Sequence, residues 1–196
     1  MKQIDYFFSV LSPWTYFAGN RLEVMAERHG ASIAYKPIDT FRVFRETGGV
    51  PLPERPLPRR EYRAQELRRT SAKTGMPYHF EPTHWPTDPL PGALSIIAAA
   101  EGGGPAGVLA QALLAAVWTE QKDVADPTVI AEKCAALGLD HGALVADEAA
   151  LKTTYEANTD EAIRRGVFGV PFYIVGDERF WGQDKLDDLE AHLARL

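Results

Sequence analysis

The chain has 196 residues, 45% of them hydrophobic and 24% charged, with a formal net charge of -6. A chain of this size buries about 70% of its unfolded surface in a core. The acidic balance excludes a nucleic-acid binder built on a broad basic surface, and no apolar run approaches the roughly 18 residues that a membrane span needs.

Ile4, Tyr6 and Phe8 alternate with Asp5, Phe7 and Ser9, which predicts a strand whose second face is also partly covered. Ser12-Pro13 then reads as a helix start, serine as the cap and proline at the first helical position. Trp14, Phe17, Ala18, Leu22 and Met25 form the apolar stripe of that helix, Asn20, Glu23 and Glu27 its outer side, and Gly30 its end. Ser32 to Ile38 reads as a second strand. From Phe41 to Pro58, Gly48, Gly49 and four prolines predict a loop. Helices are expected over Glu61–Thr74, Gly92–Glu101, Ala106–Glu120, Thr128–Leu137 and Asp147–Arg165, with a proline-rich loop at Thr83–Pro91 and a breaker at Gly102–Pro105. Phe172–Val175, Gly176-Asp177 and Glu178–Trp181 have the pattern of a strand, a tight turn and a second strand. A last helix carries Leu186, Leu189, Leu193 and Leu196 on one face. The two ends of the chain thus supply β-α-β and β-β-α, and a helical block separates them.

Few residues offer chemistry by themselves. Cys134 is the one cysteine, which rules out an internal disulfide or dithiol; on the stripe Ile130, Cys134, Leu137 it reads as a small buried hydrophobe. His29, His79, His84, His141 and His192 lack metal-ligand spacing beyond His79-x4-His84, so no metal is expected. The run Phe41–Lys73 is locally basic, with Arg55, Arg59, Arg60 and Arg63 among its cations. It is either a solvated helix face or a pocket for a small anion. Ser12 is likewise either a cap alone or a hydroxyl that meets a ligand. MKQIDYFF shows no secretory signal, and the expected compartment is the cytoplasm.

Three segments carry a resemblance: DYFFSVLSPWTYFAG, AVWTEQKDVADPTVI and NTDEAIRRGVFGVPFYIVGDERFWGQDKLDDL. They resemble the 2-hydroxychromene-2-carboxylate isomerases and kappa-class glutathione transferases, relatives of the DsbA-like disulfide oxidoreductases. The resemblance implies an α/β fold, a thioredoxin-like domain from residues 1–40 and 167–196 with an all-helical insertion at 41–166. It implies glutathione as cofactor, a small aromatic carboxylate from aromatic-compound degradation as substrate, and isomerisation by reversible thiolate addition. A kappa-like transferase or peroxidase and a non-catalytic glutathione binder are the alternatives. Ser12 then donates to the glutathione sulfur, because Ser12-Pro13-Trp14-Thr15 stands where the oxidoreductases have Cys-x-x-Cys. Val170 and Pro171 correspond to a cis-proline loop whose free backbone pairs with the cysteinyl part. Gln183 and Asp184 correspond to residues that hold the γ-glutamyl end, and Arg59, or the adjacent Arg60, to one that meets the glycyl carboxylate. Trp85, Trp118 and Tyr78 are candidates for an aromatic wall contributed by the insertion. Family members are often dimers, which leaves a homodimer open.

Overall fold

The computed structural model describes residues 2–196. A four-stranded sheet gathers both ends of the chain: β1 (Gln3–Phe8), β2 (Ser32–Pro37), β3 (Phe172–Val175) and β4 (Glu178–Trp181), in the order β2-β1-β3-β4. β1 runs parallel to β2 and antiparallel to β3, and β3 forms a hairpin with β4. The register sets Tyr6 opposite Tyr173 and Phe7 opposite Phe172. Because side chains alternate along a strand, this register sends each pair to a different face.

On one face Ile4, Tyr6, Phe8 and Tyr173 share a core with Leu22 and Met25 of α2 (Arg21–His29), Leu109 and Leu113 of α6 (Ala106–Trp118) and Leu186, Leu189 and Leu193 of α10 (Leu186–Leu193). On the other, Phe7, Phe172 and Ile174 pack with Val43 of α3 (Thr40–Thr47) and Ala162 of α9 (Glu148–Arg164). The remaining helices are α1 (Pro13–Tyr16), α4 (Leu57–Thr74), α5 (Leu90–Glu101), α7 (Pro127–Ala135) and α8 (His141–Leu144). Among the described residues no helix is long and apolar enough to cross a membrane.

Four local expectations need correction. The helix predicted from Pro13 to Gly30 is two helices: Gly19 adopts a φ of 59°, which ends α1 after one turn, although Phe17, Ala18, Leu22 and Met25 are buried as the stripe required. The loop predicted from Phe41 begins as α3, because Asp39 accepts from the Arg42 amide at 2.9 Å and Gly48 closes the helix with a φ of 80°. Leu196 is exposed, not part of the apolar face of α10.

Glu23, expected on the solvent side, instead turns inward. Tyr35 donates to its Oε1 at 3.0 Å, while Oε2 is buried without a partner. Burial raises the pKa of its carboxyl, and hydrogen bonds from its own amide and from Tyr35 offset only part of this. A carboxyl raised in this way binds its proton more tightly folded than unfolded. Its contribution to stability is full below the ordinary value of 4.5 and is lost as pH rises through the folded value. Glu23→Gln is therefore expected to match the parent at pH 4 and to exceed it by about 1 kcal/mol at pH 8, measured by urea unfolding at both pH values.

Candidate active site

The parallel pairing of β1 with β2 and its antiparallel pairing with β3 bring several chain segments to one end of the sheet. β1 leaves that end into the turn preceding α1, β3 enters it from Pro171, and β4 leaves it through Gly182 into Gln183 and Asp184. Ser12, Val170-Pro171 and Gln183-Asp184 thus converge by topology, although they come from opposite ends of the sequence.

Ser12 is 8% exposed and caps α1: the Thr15 amide donates to its Oγ at 3.2 Å. Its own hydroxyl proton has no acceptor among the described residues. The cap uses a lone pair and leaves the proton available, so capping is compatible with a hydroxyl that meets a ligand. The Ser12 amide goes to the Ser9 carbonyl and the Tyr16 amide to the Ser12 carbonyl, and Pro13 has no amide proton. Since α1 has one turn, a charge placed here would depend on the hydroxyl more than on a long helix dipole.

The Val170-Pro171 bond is cis. Neither the amide nor the carbonyl of Val170 has a backbone partner among the described residues, while the Pro171 carbonyl is taken by the Gly182 amide at 2.9 Å. An extended peptide ligand can therefore pair with Val170. Gln183 is already engaged: Arg21 donates to its backbone carbonyl at 2.9 Å and to Oε1 at 2.7 Å. Its side-chain amide nitrogen remains, and Asp184 is exposed in the short 3-10 turn that leads into α10.

The helical segment reaches the serine through one indole. Trp85 Nε1 donates to the Leu11 carbonyl at 3.0 Å, and its ring lies 5.8 Å from that of Trp118. Trp118 is 1% exposed and belongs to the core, so it backs the wall but does not line it. Tyr78 is partly exposed, with its ring 5.5 Å from that of Phe17. Arg59 and Arg60 are exposed in the first turn of α4, and no side-chain contact ties either to Ser12.

The more enclosed cations are Arg55 and Arg63. Arg63 lies over the Trp85 ring, 5.8 Å from its centre. Its pKa is pushed down to about 10 by burial and by the charge of Arg55, with Tyr78 acting against this. Arg55 donates to the Val50 carbonyl at 2.7 Å and is lowered by burial and by Arg59. The basic run in the sequence was the signal for both; the engagement of Arg21 with Gln183 had none, because the partners are distant in the chain.

Cys134 is fully buried beside Ile130, and burial raises its thiol pKa. The site has no thiolate of its own. A surface hollow of about 630 Å³ lies at the opposite end of β1, walled in part by Lys2, Gln3, Asp5 and Arg165. There Arg165 pairs with Asp5 at 2.6 Å, which marks that hollow as part of a structural ion-pair network.

Comparison with known proteins agrees with the fold. The family model described as DSBA-like thioredoxin domain matches residues 3–194. A 2-hydroxychromene-2-carboxylate isomerase of Pseudomonas putida is 33% identical, the match covering 98% of this chain and 95% of the relative. One from Sphingobium xenophagum is 31% identical, covering 98% of each. The solved structure of a 2-hydroxychromene-2-carboxylate isomerase superposes with a TM-score of 0.75 at 29% identity, over 98% of this chain and 95% of that one. A probable DsbA oxidoreductase from Streptomyces coelicolor also gives a TM-score of 0.75, at 18% identity and over 100% of this chain and 89% of its own, a likeness of fold alone. The DSBA-like match over residues 3–194 and relatives 31% and 33% identical over nearly the full length place the chain in the 2-hydroxychromene-2-carboxylate isomerase family of the DSBA-like thioredoxin fold.

Proposed function

We propose that this chain is a glutathione-dependent isomerase acting on 2-hydroxychromene-2-carboxylate or a closely similar intermediate of aromatic-compound degradation. The observation that carries the reading is the Ser12 hydroxyl, nearly buried, with its proton uncommitted, at the end of the sheet where the Val170 backbone is unpaired. That donor set fits a thiol tripeptide. When bound, glutathione supplies a thiolate that adds reversibly to a conjugated carbon and leaves again, so the tripeptide is regenerated.

The chain's own residues supply the rest. Val170 pairs its amide and carbonyl with the cysteinyl unit and fixes the sulfur beside Ser12. Ser12 donates its hydroxyl proton toward the sulfur without giving it up, which favours the anionic form of a thiol whose free pKa is about 8.5. Asp184 holds the ammonium of the γ-glutamyl end, and the Gln183 side-chain nitrogen its carboxylate. Arg59, or Arg60 beside it, meets the glycyl carboxylate. Trp85 and Tyr78 present the aromatic wall against which the substrate lies. Addition and elimination at such a thiolate would be redox-neutral, so these residues would need no oxidant and no thiol of the chain.

An ultraviolet assay of 2-hydroxychromene-2-carboxylate isomerisation, run with and without added glutathione, tests this. Turnover should require glutathione and leave its concentration unchanged. Undiminished activity without it rejects the mechanism, and stoichiometric consumption reassigns the site to a transferase.

A further inference from the structure

We propose that Arg63, backed by the indole of Trp85, is a carboxylate-binding residue for the aromatic substrate, distinct from the residues that hold glutathione. Other part-buried or bridging arginines find oxygen partners: Arg165 has Asp5 and Glu161, Arg21 has Gln183, and Arg55 has the Val50 carbonyl. Arg63 has neither an ion pair nor a hydrogen-bond acceptor among the described residues, and its charged neighbour is another arginine, Arg55. A guanidinium withdrawn from solvent beside a like charge is unfavourable unless an anion joins it. The ring of Trp85, 5.8 Å away, supplies part of the compensation.

The position selects the kind of anion. Trp85 donates to the Leu11 carbonyl, one residue before Ser12, so a group held by Arg63 lies on the aromatic side of the serine turn. Tyr78 is close enough to act electrostatically on the same guanidinium. A planar carboxylate conjugated to an aromatic ring satisfies both partners at once: its oxygens take the fork of donors and its ring lies along the indole. The other carboxylate of the ternary complex, the glycyl end of glutathione, falls to the exposed Arg59 or Arg60 at the start of α4.

This assignment rests on the isomerase reading for the identity of the substrate, but its test does not require turnover. Calorimetry with 2-naphthoate and with its neutral counterpart 2-naphthamide is performed on the parent, Arg63→Met and Arg63→Lys; glutathione is titrated separately, and circular dichroism confirms that each variant is folded. Arg63→Met should weaken 2-naphthoate binding by about ten- to a hundred-fold, with 2-naphthamide and glutathione unchanged within about two-fold. Arg63→Lys should recover part of the loss. Three outcomes overturn the proposal: unchanged 2-naphthoate binding in Arg63→Met, equal losses for the acid and the amide, or a loss that falls on glutathione. Arginine-dependent binding of 2-naphthoate by a chain that neither binds glutathione nor isomerises would uphold this assignment and reject the isomerase reading.

Discussion

Replacing Ser12 by alanine is expected to lower glutathione-dependent turnover by about 10²- to 10³-fold, the range for removing one hydrogen-bond donor aimed at a developing negative charge. The hydroxyl caps Thr15 and, in the proposed mechanism, would also donate to the sulfur, and the variant removes both. Loss of the cap costs about 0.5 to 2 kcal/mol of stability and would blur the result if measured alone. Ser12→Gly separates the two, because glycine as a cap loses only a few tenths of a kcal/mol. Both variants should lose turnover alike, while only the alanine variant loses appreciable stability. Glutathione affinity should fall much less than turnover, since Val170 and Asp184 remain. The pH profile adds a second reading: without the donor, the activity of the residual enzyme should rise at higher pH, toward the pKa of an unassisted thiol. Full activity in either variant would leave Ser12 as a cap and nothing more.

The second large effect concerns stability and lies away from the serine. Gly107, near the start of α6, passes so close to β2 that a Cβ there would sit 2.6 Å from Glu23 Oε1 and 3.0 Å from the Tyr35 ring. Both atoms of the Tyr35–Glu23 hydrogen bond would have to move. Tyr35 has little freedom to do so, because it packs edge-on against Tyr6 and Phe8 at 6.0 and 6.5 Å. Gly107→Ala is thus expected to cost about 2 to 3 kcal/mol, combining overpacking with a lost buried hydrogen bond. Urea unfolding should show a lower midpoint with an unchanged slope. Turnover at low temperature should survive, since the end of α6 that backs the site is Trp118, not Gly107. A midpoint equal to the parent's would mean that α6 can move off the sheet at little cost.

The sheet strands and the last helix were legible because their signals are local: alternation in Ile4–Phe8, β-branched and aromatic residues around Gly176-Asp177, and the stripe Leu186, Leu189 and Leu193 on α10. The start of α3 was also written locally, in Asp39 and Gly48, but the glycines and prolines after it drew the whole stretch into a predicted loop. The break after α1 was hidden for the opposite reason. The apolar stripe continues across it, and burial of Phe17 and Ala18 does not reveal that Gly19 has turned left-handed. At the site, Ser12 and Val170-Pro171 were found through the resemblance, since spacing alone reads the first as a cap and the second as a strand start. Arg63 was visible only as one cation of a basic run. What distinguishes it is the missing oxygen partner, a property of packing that no sequence window contains. Glu23 shows the same limit: its period places it outward, and Tyr35 pulls it in.

The pairing of Phe7 with Phe172 has a consequence for how the protein is made. Nearly the whole chain must leave the ribosome before β1 acquires its antiparallel neighbour, and until then the parallel β1/β2 unit is all that the sheet can be. Such long-range closure is slow and leaves an apolar strand edge uncovered in the meantime. Nascent chains stalled before the final hairpin should therefore be the population that chaperones capture.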